Sequence, residues 1–132
     1  MITAVDSSAL IAVYLGESTA SAWMDILVSA RGEGALVVSP VVAAEFFAVV
    51  GEREAFETTL ADLGIRLVSI SVDAACEAGR LFRLYRDQGG PREFLISDFL
   101  IGAHAAVDCD RLAANDRGYL RRYFSGLRLA SV

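Results

Sequence analysis

Four carboxylates stand out by the company they keep: Asp6, Glu45, Asp98 and Asp116. Glu45 is the only charged residue between Gly34 and Gly51, and at helical offsets of three and four it meets Val41, Val42, Ala48 and Val49. Asp98 repeats the pattern with Phe94, Leu95, Ile101 and Gly102, and Asp6 closes the apolar run 2–5. An acid buried without a basic partner is costly, and several close together repel unless a cation intervenes. Carboxylates and waters, without histidine or cysteine, suit Mg²⁺ or Mn²⁺. One or two such ions can activate a water and stabilise the pentavalent phosphate of phosphodiester cleavage, so the chemistry indicated is hydrolysis of a nucleic-acid backbone.

These acids need a scaffold that brings distant positions together. The chain alternates short apolar runs with helical periods. Strands are expected at 2–5, 35–38, 66–70, 111–114 and 127–129, with helices at 7–15, 18–30, 40–50, up to 63, 72–88, 95–107 and 116–123. Ser39 followed by Pro40 is a strong helix start, and Pro91 is expected to begin a loop. Strands that are apolar on both faces and alternate with helices imply a parallel sheet covered on both sides, a three-layer α/β/α domain. In such sheets ligands collect at the carboxyl ends of the strands. Asp6 ends the first strand, Glu45 and Asp98 sit near helix starts, and Asp116 follows the fourth strand, so all four are expected to face one cleft.

At 132 residues the chain is read as one domain, 1–132, able to bury a core without staples. Apolar residues make up 55 % and mean hydropathy is +0.46, which points to apolar surface kept for a partner and hence to a homodimer. No uncharged stretch approaches the roughly 20 residues a bilayer span needs, and the N-terminus lacks a basic leader, so a cytoplasmic protein is expected. Cys76 and Cys109 have no metal-site spacing and are read as buried free thiols. A net charge of −5 argues against a general nucleic-acid coat. All 12 basic residues are arginine, which removes every mechanism that requires lysine.

Taken together, "VDSSALIA" with Asp6, "SPVVAAEF" with Glu45, "ISDFLIGAHA" with Asp98 and "RLAANDRGY" with Asp116 resemble the PIN-domain ribonucleases, and among them the VapC-type toxins of toxin–antitoxin pairs. The resemblance spans nearly the whole chain. It implies a PIN-like fold and an Mg²⁺- or Mn²⁺-dependent endoribonuclease in which the four acids hold the metal and its nucleophilic water. It also implies a homodimer and a cognate antitoxin that covers the active-site groove. The sequence departs from the family at Ala114, where a threonine or serine is common two residues before the last acid.

Each residue also has a plainer reading. Asp6 can be a helix cap, although Ser7 and Ser8 are available for that task. Glu45 can be a solvated helix residue, and Asp116 sits in a good turn sequence, Asn115-Asp116-Arg117-Gly118. Ser7 and Asn115 are secondary candidates at the site. Arg92, Arg86 and Arg117 are candidates for contact with RNA, while Arg80 and Arg83 read as solvated surface paired with Glu77 and Asp87. His104 is expected to be packed or on the surface rather than catalytic. A receiver-like signalling domain is excluded by the missing lysine. A catalytically silent PIN-fold interaction module remains the alternative to an enzyme.

Overall fold

The computed structural model describes residues 1–90 and 93–132. Pro91, the expected loop start, and Arg92, a candidate RNA contact, lie outside the described residues. Five strands, β1 (Ile2–Val5), β2 (Ala35–Val38), β3 (Ile65–Leu67), β4 (Arg111–Ala113) and β5 (Arg128–Ala130), form one all-parallel sheet in the order β3-β2-β1-β4-β5. The helices are α1 (Ser7–Leu15), α2 (Ala20–Glu33), α3 (Pro40–Val50), α4 (Arg53–Leu63), α5 (Val72–Asp87), α6 (Ile96–Ala103) and α7 (Tyr119–Tyr123). A π-helical turn, His104–Asp108, continues α6.

The chain steps from β1 to β3 toward one edge and then returns to β4 on the far side of β1. Right-handed crossovers therefore place α1 to α4 on one face and α5 to α7 on the other. In keeping with this, α1 packs on α2 and α3, and α5 packs on α6. This is the three-layer α/β/α arrangement expected from the sequence. The reversal makes the gap between the carboxyl ends of β1 and β4 a topological switch point.

Buried Val5, Leu36, Val38 and Leu112 join Trp23, Leu27 and Phe46 in the core. On the other face Phe99 is the hub of a ring cluster, its centroid 5.4 Å from both Phe82 and Tyr85 and 5.5 Å from Tyr123. Gly102 admits this packing, because a Cβ there would lie 2.5 Å from the Phe124 ring. Anchoring Phe99 fixes the first turn of α6, and with it Asp98.

Some boundaries differ from expectation for local reasons. The fourth-strand region ends at Ala113, and the last helix starts at Tyr119 rather than 116, because Asp116 Oδ1 accepts from Gly118 N (2.8 Å) in a turn with Gly118 at φ 96°. β3 stops at Leu67, although Val68 N still donates to the Val38 carbonyl. Cys76 is exposed and Cys109 only half-buried, which corrects the expectation of two buried thiols; the solvent side of α5 carries Cys76. Among the described residues no helix is long and apolar enough to cross a membrane.

Candidate active site

Each acid reaches the switch point by a different local device. Asp6 N donates to the Ala113 carbonyl (3.0 Å), which extends the β1–β4 ladder one residue and fixes the Asp6 backbone at the sheet edge. The Asp6 side chain then caps α1: Oδ2 accepts from Ser8 N (3.3 Å) and from Ser8 Oγ (2.5 Å). The expectation that the serines would spare Asp6 from capping is thus corrected. Its one-residue lead over the helix puts its carboxylate nearer the free N–H groups, and Ser8 serves it as a donor. Among the described residues no donor reaches Oδ1.

Glu45 comes from the second turn of α3, a helix started by Ser39 Oγ accepting from Val42 N, with Pro40 at its first position. Its Oε1 accepts from Ser7 Oγ at 3.0 Å, linking α1 and α3. Glu45 is exposed, not buried as its apolar neighbours implied. Those neighbours mislead because α3 is apolar all round, and its outer face, including Phe47, Ala48 and Val49, is itself exposed. Neighbouring protein still dehydrates Glu45 enough to raise its pKa, and the negative charges of Asp6 and Asp98 push the same way against the Ser7 hydrogen bond and Arg117.

Asp98 lies at the start of α6 with only 13 % of its side chain exposed. Its Oδ2 accepts from Leu95 N (2.8 Å), closing the first turn, and its Oδ1 accepts from Arg117 Nη2 (2.6 Å). Arg117 in turn faces the Tyr119 ring at 5.2 Å and the Phe94 ring at 5.8 Å. Burial foremost, with the charges of Asp98 and Asp6 adding and Arg117 opposing, pushes the Tyr119 phenol up to about 12.

Asp6, Glu45 and Asp98 line one cavity of about 390 Å³, together with Ser7, Ser8, Asn115, Arg117, Ile11 and Ile101. Asp116 does not line it. Its carboxylate is held by Gly118 N and by Arg121 Nε (3.2 Å) and faces a separate cavity with Leu120 and Phe124. The turn after β4 thus presents Asn115, one residue earlier, to the acids. Arg86 is also elsewhere, exposed on α5 with its guanidinium 5.9 Å from the Phe82 centroid. Ser8 is the residue sequence reasoning missed, and its signal was its place two residues after an acid at a helix start.

The three carboxylates, the hydroxyls of Ser7 and Ser8 and the amide oxygen of Asn115 are oxygen donors of the kind that fit a hard divalent cation. Among the described residues, however, no three acidic, histidine or cysteine side chains are already drawn together as a ligand set. What the geometry supplies is convergent negative charge at a sheet switch point, with a single guanidinium among it within the described residues.

The architecture defines a parallel α/β domain with an acidic cleft at the carboxyl ends of its strands. The PIN domain family model matches residues 3–124, a span that includes all four acids, and the chain belongs to that family. Compared by sequence with curated proteins, the chain matches none. Among solved structures it resembles VapBC2 from Rickettsia felis bound to a promoter DNA fragment, with TM-score 0.76 and 17 % identity over 99 % of this chain and 98 % of that one. VapBC-1 from nontypeable Haemophilus influenzae superposes with TM-score 0.67 at 17 % identity, with the same shares of the two chains covered. DNA-bound VapBC from Salmonella typhimurium gives 0.62 at 16 % identity.

Proposed function

We propose that this chain is a VapC-type toxin, an Mg²⁺- or Mn²⁺-dependent endoribonuclease whose metal is held by Asp6, Glu45 and Asp98. The observation that carries this reading is the convergence of these three acids, from three separate elements, on one cavity. When bound, the metal would supply an activated water and charge neutralisation at the scissile phosphate. The chain's own groups do the rest. Ser7 Oγ orients Glu45, Ser8 orients Asp6, and the α6 turn holds Asp98. Asn115 offers an amide to a phosphate oxygen, and Arg117 offers a planar guanidinium of the kind that pairs with phosphate. Asp116, bound to Arg121, is assigned outside the direct ligand set.

Partners follow from the same reading. The solved relatives are VapBC complexes, which supports a cognate antitoxin for this chain. Exposed Tyr14, Leu15, Phe47 and Val49 on α1 and α3 supply apolar area for an antitoxin or a second copy. A cytoplasmic location accords with an RNA substrate. The test is cleavage of a mixed RNA pool by purified protein: activity with Mg²⁺ or Mn²⁺, loss in excess EDTA, and loss in Asp98→Asn. Cleavage that persists in EDTA sinks the mechanism. The second reading, a silent interaction module, is favoured by Asp116 facing away from the cavity and by Ala114 lacking a hydroxyl; a folded chain inert toward RNA under every metal would select it.

A further inference from the structure

Both oxygens of Asp98 are already engaged. Oδ2 is tied to Leu95 N, a bond internal to the first turn of α6, and Oδ1 is tied to Arg117. Arg117 is also the sole basic residue lining the acidic cavity among the described residues. We propose that Arg117 is an exchangeable counter-ion: it holds Asp98 while no metal is bound, and a divalent ion gains Asp98 as a ligand when Arg117 releases it to pair with an RNA phosphate. This inference rests on the reading of the cavity as a metal site.

The two sides of the Arg117–Asp98 pair differ in freedom. The Asp98 side chain is 13 % exposed and pinned by backbone, whereas that of Arg117 is 56 % exposed and enters from the turn after β4. Release therefore moves the arginine and leaves the helix in place. The faces of Phe94 and Tyr119, with the Tyr119 hydroxyl 3.5 Å from Nη2, give the guanidinium a resting surface that does not depend on Asp98. One positive charge leaves the carboxylates as a doubly charged ion arrives, so Glu45 and Asp6 are not left to repel Asp98. The freed guanidinium keeps donors suited to two phosphate oxygens. Metal and RNA then favour each other's binding, and the coupling must be reciprocal.

Mn²⁺ binding, followed by the EPR signal of the free ion, tests this without any turnover. The full chain is compared with Arg117→Met and with Arg117→Gln, which keeps polarity without charge; circular dichroism checks that both fold. Both variants are expected to bind Mn²⁺ about fivefold more tightly than the parent, the scale of a half-exposed ion pair. An uncleavable single-stranded deoxyoligonucleotide is expected to tighten Mn²⁺ binding to the parent and not to the variants. Equal or weaker Mn²⁺ binding by both variants, or the same oligonucleotide effect in all three chains, overturns the counter-ion while metal-dependent cleavage by the parent stands. No Mn²⁺ binding by any of the three overturns it together with the metal-nuclease reading.

Discussion

Between the π-helical turn and the start of α5 lies a second cavity, of about 300 Å³, lined by His104, Asp108, Cys109, Ser69, Ser71 and Arg66 among others. There Asp108 spends both oxygens on one residue, accepting from Ser71 N (2.9 Å) and Ser71 Oγ (2.5 Å). Ser71 in turn caps α5. His104 is held toward its neutral form by burial, against the charge of Asp108, and burial with the charges of Asp108 and Asp110 pushes the Cys109 thiol up to about 11. The acidic cavity assembles its groups differently. Three carboxylates from separate elements line it beside Arg117, the one guanidinium there among the described residues, and Glu45 is disfavoured as an anion by dehydration first and then by the charges of Asp6 and Asp98. An acid whose two oxygens are both spent on one nearby residue serves the fold, and acids drawn together from separate elements ask for a ligand.

The sharpest way to break this contrast is to remove one acid from each cavity. Asp6→Asn is expected to lower metal-dependent RNA cleavage by about 100-fold or more. Its denaturation midpoint should barely move, because asparagine also caps helices. Asp108→Ala should do the reverse, costing about 1–3 kcal/mol of stability through the stranded Ser71 donors while cleavage stays unchanged. Kinetics and urea denaturation on both variants check the pair. Equal stability losses with equal activity losses would erase the distinction between the cavities.

Asp116 sharpens the comparison from the boundary. Its carboxylate serves the Gly118 turn and Arg121, so Asp116→Asn should keep the turn, lose the ion pair with Arg121 and cost cleavage about tenfold or less. A loss matching that of Asp6→Asn would place Asp116 in the ligand set.

The second cavity carries a pH signature of its own. Burial lowers the His104 pKa below its ordinary 6.5, so the unfolded chain takes up the proton first as pH falls. The stability this neutral histidine contributes is present in full above 6.5 and is lost as pH falls through the lower folded value. Urea midpoints of the metal-free chain should therefore drop on acidification below about 6.5. His104→Gln should flatten that slope, and an unchanged slope would detach the histidine from it.

How much of this was legible in the sequence depends on whether the deciding contact was local. The apolar runs of β1 and β2, the Ser39-Pro40 helix start and the sheet class needed only short-range pattern, and they fall where expected. The burial of Glu45 was misread because α3 is apolar all round, so periodicity holds no phase that tells the covered side from the open one. The same failure recurs after β4, where Leu112, Ala113 and Ala114 are all buried and cannot say whether Asn115 or Asp116 turns inward. The pairing of Arg117 with Asp98 spans 19 positions and is set by that turn. No spacing rule could have supplied it.

The smallest effect is the most specific to the acidic cavity. Dehydration of Glu45, with the charges of Asp6 and Asp98, raises its pKa above the ordinary 4.5, so the folded state holds the proton more tightly than the unfolded chain does. The stability linked to protonated Glu45 is then present in full below 4.5 and is lost as pH rises through the raised folded value. Glu45→Gln removes the charge while its amide oxygen still accepts from Ser7 Oγ. In EDTA the variant should therefore melt slightly above the parent at neutral pH, with the two curves merging as pH falls below about 4.5. Added Mn²⁺ should reverse the order, because a cation turns the repulsion among the three acids into coordination that glutamine supports poorly. A parent that melts above Glu45→Gln at neutral pH even in EDTA would mean that Asp6, Glu45 and Asp98 are not in conflict.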